Sequence, residues 1–199
     1  EDSLLHDLIN SSAPTLTIVA KSWDFHVTDA LNISLEENLA LVYDTIAYLK
    51  DKGFEVFLDA EHFYDGYKAN PEYAMKVLES AVKAGVDMLV LCDTNGGTLT
   101  HEISSITGTV CSTYKTPVGV HHHNDAGVAV ANGIAAVLSG AISVQGTING
   151  YGERCGNCDL TALIPNLVLK LGCSCNAAES LHHLTETSRY ISEIANLAH

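Results

Sequence analysis

Val118-Gly119-Val120-His121-His122-His123-Asn124-Asp125 is a short apolar, β-branched run that turns abruptly into a polar cluster. Four other segments repeat that grammar. Leu16 to Ala20 leads into Lys21-Ser22-Trp23-Asp24, and Val56 to Leu58 leads into Asp59-Ala60-Glu61-His62. Met88 to Cys92 leads into Asp93-Thr94-Asn95-Gly96-Gly97, and Ile142 to Thr147 leads into Asn149-Gly150-Tyr151-Gly152-Glu153-Arg154. Each apolar run reads as a buried parallel strand. The intervening stretches, Leu35 to Lys50, Pro71 to Ala84, Thr100 to Tyr114 and Gly127 to Leu138, carry helical spacing. Asn70 before Pro71 predicts a capped helix start, and Gly53, Gly85 and Gly140 predict helix stops just ahead of the next strand.

Alternation of strand and helix predicts βαβ units and a parallel sheet covered by helices, an α/β fold. The polar clusters then separate two architectures. An open doubly wound sheet gathers its ligand groups at one switch point, whereas a (β/α)8 TIM barrel converges all its strand ends on one face. Chemistry at every strand end favours the barrel. Five strands do not close it, so residues 1–175 are expected to be roughly strands 4 to 8, with about three βα units upstream. Residues 176–199 read as a helix leading out of the barrel.

The 199 residues are 47% apolar, enough for a substantial core. The net charge of −14, from 24 acidic and 10 basic residues, argues against nucleic acid or an anionic membrane as partner. No apolar run reaches the ~20 residues that span a bilayer. Glu1 is not a start residue and no signal segment follows it, so a fragment of a cytoplasmic protein is expected. Six cysteines without a secretory signal fit reduced thiols. A non-enzymatic alternative comes from Cys155-x-x-Cys158 and Cys173-x-Cys175, whose spacing resembles a four-thiolate zinc module.

His121 and His123 lie two apart on a strand and project to one face, while His122 points the other way. Two neutral imidazoles on one face are a ready pair of metal ligands, completed by a carboxylate or amide from elsewhere. His122 is expected in the core or behind the ligands. In Gly150-Tyr151-Gly152-Glu153-Arg154-Cys155-Gly156-Asn157 the glycine spacing is not that of a dinucleotide fingerprint, and the loop reads either as a structural turn or as a ligand-approaching one. Asn157 and Asp159 are candidate caps for a following helix.

Together, Gly119-x-His121-x-His123-Asn124-Asp125, Gly150-x-Gly152-Glu153-Arg154-x-Gly156-Asn157 and Asp93-Thr94-Asn95-Gly96-Gly97 resemble the metal-dependent, Claisen-condensing barrel family of isopropylmalate, homocitrate and citramalate synthases. The resemblance spans nearly the whole chain. Lys21 to Val27, Asp59 to Pro71 and Gln145 to Gly152 are similar to the citramalate type. Asp59-Ala60-Glu61-His62 stands where the isopropylmalate branch usually has Ser-x-Glu-Asp. The resemblance implies condensation of acetyl-CoA with a 2-oxo acid, pyruvate above others, in branched-chain amino-acid biosynthesis, with a divalent zinc, manganese or magnesium ion and a homodimeric full-length protein.

The resemblance also implies residue roles. His121 and His123 match the family's metal ligands, Asn157 an asparagine at or near the metal, Glu61 the active-site glutamate, and Thr94 the threonine that binds the acceptor carboxylate. Glu153 and Arg154 match scaffolding or acetyl-CoA contacts, and Glu61 is open to a plain ion pair with Lys68 or with the arginine of the missing motif. His182 and His183 match nothing catalytic and read as helix-surface residues. The family's Arg-Asp-Gly motif and its later catalytic His and Tyr have no counterpart here, so the isolated chain is expected to be inactive and self-associating. Related barrel lyases and transcarboxylases, which also use paired histidines, are the enzymatic alternative.

Overall fold

A computed structural model describes residues 3–197. The chain forms two compact units, one running up to Cys92 and including Tyr114–Val118, the other comprising Asp93–Thr113 and the chain from Gly119 onward.

In the first unit, α1 (Ser3–Ile9) precedes β1 (Thr15–Lys21), a helical turn α2 (Asp24–His26) that widens over Val27–Leu31, and α3 (Leu35–Asp51). Then come β2 (Glu55–Glu61), α4 (Phe63–Ala69), α5 (Pro71–Lys83) and β3 (Met88–Asp93). β1 pairs with β2 and β2 with β3, all parallel. Period-two alternation puts Val56, Leu58 and Ala60 on the helix-covered face of β2, and all three are fully buried. Phe57, Asp59 and Glu61 line the opposite face, which is only partly covered, and on β1 Val19 is 65% exposed. β3 is thus buried on both faces, whereas β1 and β2 are buried on one.

Local chemistry sets the helix limits. Ser34 accepts from the Glu37 amide at the start of α3, and Asn70 accepts from the Tyr73 amide with Pro71 in the first turn of α5. Gly53 and Gly85 end the two helices at φ +87° and +90°. α3 and α5 are stitched by a Ser80 hydroxyl donating to the Leu39 carbonyl at 2.8 Å and by Asn38 Nδ2 donating to the Tyr73 hydroxyl at 2.8 Å. The short α4 falls between the polar strand end Asp59–His62 and the helix expected from Pro71, in a stretch to which the sequence pattern assigns no element.

In the second unit, α6 (Thr100–Thr113), β4 (Val118–His122), α7 (Ala129–Leu138) and β5 (Ser143–Gln145) follow. Then come α8 (Leu160–Pro165), a wider turn over Asn166–Lys170, a tight helical turn over Ala178–His183 and α9 (Leu184–Ala195). β4 and β5 are parallel, with His121 opposite Gln145. β5 is shorter than its apolar run because Thr147 leaves the ladder to bridge Asp159, its amide donating to the Cys158 carbonyl. Asp159 caps α8 through the Thr161 amide, whereas Asn157 does not cap it. The helix expected over residues 176–199 is α9, shorter than that range, and His182 and His183 sit exposed in the turn before it. Among the described residues no helix is long and apolar enough to cross a membrane.

Candidate functional site

β4 places its three histidines as strand geometry demands. His122 is fully buried, and burial, reinforced by His121, pushes its imidazole down to about 3. His121 and His123 share the other face, ring centroids 5.1 Å apart. Gln145 Oε1 lies 2.8 Å from His121 Nδ1. A carbonyl oxygen only accepts, so a neutral imidazole making this contact has its proton on Nδ1 and its lone pair on Nε2. His123 is held below its ordinary value by burial, then by His121 and the Arg154 guanidinium, and its Nδ1 is buried without a hydrogen-bond partner. Gln145 was not foreseen. Its register with His121 is the signal that would have found it.

The glycine-rich loop brings Asn157 to this pair. His123 and Asn157 form an isolated antiparallel bridge, the Asn157 amide donates to the Gly150 carbonyl at 2.9 Å, and Asn124 donates to the Gly156 carbonyl at 2.9 Å. Asn157 Nδ2 donates to the Tyr151 carbonyl at 3.3 Å, which leaves Oδ1 buried and without a partner. The loop needs its glycines for space. A Cβ on Gly152 would stand 2.4 Å from Asn157 Nδ2, and one on Gly156 would stand 2.1 Å from the Gly150 carbonyl at a φ of +92°.

Arg154 ties three strand-end loops together. Its Nε and Nη2 donate to Asp125 Oδ1 and Oδ2 at 2.8 and 3.0 Å, and Nη2 also donates to the Thr94 carbonyl at 2.7 Å. The hydrogen bond from Arg154 holds the Asp125 carboxyl below the usual carboxylate range. Thr94 is half-buried beside Asp93, whose carboxylate accepts from the Thr98 amide and hydroxyl and whose carbonyl accepts from the His123 amide. The arrangement engages Nε and Nη2 of Arg154 with acceptors from two other loops.

Glu61 belongs to the first unit. Its carboxylate pairs with the ammonium of Lys21, directly opposite it in the β1–β2 register. The partner is thus Lys21 and not Lys68, which lies 3.9 Å from Asp65. Beyond them Trp23, Phe25, His26 and His62 form a ring cluster, with His26 edge-on to His62 at 4.3 Å. Burial first, then His62, lowers the His26 imidazole below its ordinary value.

The four-cysteine module is overturned. Cys155 is exposed, whereas Cys158 is buried among Ala129, Leu163 and Leu167 with its thiol pushed up to about 12. Among the described residues no three His, Cys, Asp or Glu side chains gather as metal ligands. The physical reason is that Cys158 points into the apolar core, where burial disfavours the thiolate a zinc site requires.

Parallel strands ending in an imidazole pair, a directed amide oxygen and arginine-tied loops define a β/α-barrel segment with its functional groups at the carboxyl ends of the strands. The chain belongs to the HMGL-like family, whose model matches residues 4–191. The (R)-citramalate synthase of Aquifex aeolicus is 56% identical over 198 residues, 99% of this chain and 38% of that protein. The 2-isopropylmalate synthase of Sulfurisphaera tokodaii is 32% identical over 190 residues, 95% of this chain and 48% of that protein. HMG-CoA lyase of Bacillus subtilis shares the TIM-barrel fold, with a TM-score of 0.81 at 16% identity, over 99% of this chain and 68% of that one. The chain spans less than half the length of the curated relatives named here.

Proposed function

We propose that the chain is the larger part of the catalytic barrel of an acyltransferase that condenses acetyl-CoA with pyruvate, giving citramalate and CoA, within branched-chain amino-acid synthesis. The observation that carries the reading is the pair of buried, partnerless acceptors, His123 Nδ1 and Asn157 Oδ1, beside a His121 whose Nε2 is left with a lone pair. Orphaned buried polar atoms are costly, and a divalent cation would satisfy both at once. Two imidazoles and an amide oxygen suit zinc or manganese, with magnesium the harder alternative. The higher identity to a citramalate synthase than to an isopropylmalate synthase favours pyruvate as acceptor.

His121, His123 and Asn157 would hold the metal, and Gln145 would fix the first of them in its ligating tautomer. When bound, the metal supplies Lewis-acid polarisation of the acceptor's ketone. Thr94, on a loop held by Arg154, binds the acceptor carboxylate. Glu61 takes the methyl proton of acetyl-CoA, directly or through an ordered water, and the resulting enolate carbon adds to the ketone before hydrolysis of the thioester. Lys21 balances the Glu61 carboxylate. Free thiols throughout the described residues suit a reducing cytoplasm, and the full-length protein is taken to be a homodimer.

The test is CoA release by the full-length enzyme with acetyl-CoA and pyruvate, 3-methyl-2-oxobutanoate or 2-oxoglutarate, with products identified by mass spectrometry. Pyruvate should give the highest kcat/KM and citramalate the product. Preference for 3-methyl-2-oxobutanoate moves the assignment to isopropylmalate synthesis, and cleavage of an acyl-CoA without condensation moves it to a lyase.

A further inference from the structure

α9 touches the Asn157 loop at two places, and neither contact has a part in the reading above. Asn149 Nδ2 donates to the Ser188 carbonyl at 2.9 Å, and the Ser188 hydroxyl donates back to Asn149 Oδ1 at 2.6 Å. One helical turn further on, the Ser192 hydroxyl meets the Tyr151 phenol at 2.9 Å. Ser188 and Ser192 are four apart and share one face of the helix, while Tyr190 and Ile194 are exposed on another.

The two gripped residues flank Gly150, and both lead to Asn157. Gly150 supplies the carbonyl for the Asn157 amide, and Tyr151 supplies the carbonyl for its Nδ2, steadied by the Thr147 hydroxyl at 2.6 Å. Asn149 stands at φ 63°, ψ 13°, in the left-handed region where asparagine is better tolerated than most residues. A side chain bonded twice to one serine is a strong fixative at such a position.

We infer that α9 is a positioning element for the metal centre: through Ser188 and Ser192 it fixes Asn149 and Tyr151, and through their loop it aims the Asn157 side-chain oxygen. A helix outside the strand ends thereby sets the affinity of a ligand group it does not touch, and displacing α9 lowers that affinity. The inference rests on the reading of Asn157 as a ligand, and it requires Asn149, Tyr151, Ser188 and Ser192 to act as positioning residues only.

The test uses the full-length enzyme without substrates and reads the dissociation constant for Mn²⁺ alone by electron paramagnetic resonance of the free ion. Asn149→Gly keeps the left-handed backbone accessible while removing both bonds to Ser188, and Tyr151→Phe removes only the phenolic hydroxyl. The double variant should weaken Mn²⁺ binding ~10-fold, the lower end of what loss of an outer-shell partner typically does. Hydrogen exchange of the metal-free peptide over residues 149–158 should quicken in the same variant. Tyr190→Ala, on the exposed face of α9, should change neither readout. Unchanged Mn²⁺ affinity and exchange in the double variant, or equal losses in Tyr190→Ala, overturn the inference. Asn157→Ala separates the premise: if it binds Mn²⁺ like the parent, the ligand assignment fails, and the positioning role falls with it.

Discussion

The strand ends of the two units are built on different physics. In the second unit, directional polar bonds tie the loops after β3, β4 and β5 to one another through Arg154, Asp125 and Thr94, brace the last of them internally through Asn157, Gly150 and Tyr151, and join strand β5 to β4 through Gln145 and His121. In the first unit, the ends of β1 and β2 are organised by tilted and edge-on rings and by one ion pair, Lys21 with Glu61, each about a quarter exposed. The first arrangement restrains side chains in several directions at once, which is what ligation requires. The second places one part-exposed carboxylate against one part-exposed ammonium. On the roles proposed above, ligand holding would fall to the strand ends of the second unit and proton handling to those of the first, and that division can be broken at definite places.

The largest effect should come from the polar side. His121→Ala or His123→Ala in the full-length enzyme should remove stoichiometric metal and lower kcat/KM by ~10³-fold or more, whereas His122→Gln should keep its metal. Equal metal loss from all three substitutions would erase the distinction between the two faces of β4. Next is Gln145→Leu, which deletes the acceptor for His121 Nδ1 and should weaken metal binding ~10- to 100-fold, with Gln145→Glu restoring most of it. A chelator competition showing no change would mean that His121 needs no orienting partner.

Thr94→Val should raise the KM for the 2-oxo acid ~10- to 100-fold with little change for acetyl-CoA, since a hydrogen bond to a carboxylate is worth ~1.5 to 3 kcal/mol. A rise confined to acetyl-CoA would move Thr94 to the other substrate.

The smallest effect concerns stability. His122 is buried neutral, with its folded value depressed from 6.5 to about 3. The unfolded chain therefore takes up a proton that the folded chain refuses. This contribution is fully present above pH 6.5 and is lost as pH falls towards 3, by at most ~1.4 kcal/mol per pH unit. Urea unfolding of the metal-free enzyme at pH 7.5 and 5.5 should show that loss, and His122→Gln should show less of it. Identical pH slopes for the two proteins would place the effect elsewhere.

Much of this was legible from residues alone, because it follows from interactions between near neighbours in the chain. Period-two alternation assigned His121 and His123 to one face and His122 to the other, and the burial of His122 agrees. Asn70 ahead of Pro71 and the glycines at 53, 85 and 140 set helix limits through steric and capping effects that act within a turn. Alternating strand and helix with polar strand ends pointed to the barrel. Tertiary structure alone decided the partners. Arg154 meets the Thr94 carbonyl across 60 residues, His121 meets Gln145 across 24, and Lys21 meets Glu61 across 40. Cys158 was drawn into the core rather than to a metal, and Asn157 bridges His123 through its backbone and bonds the Tyr151 carbonyl through its side chain rather than capping α8. A local pattern fixes which way a side chain projects, but its partner is set by packing between strands that are neighbours in the sheet and distant along the chain.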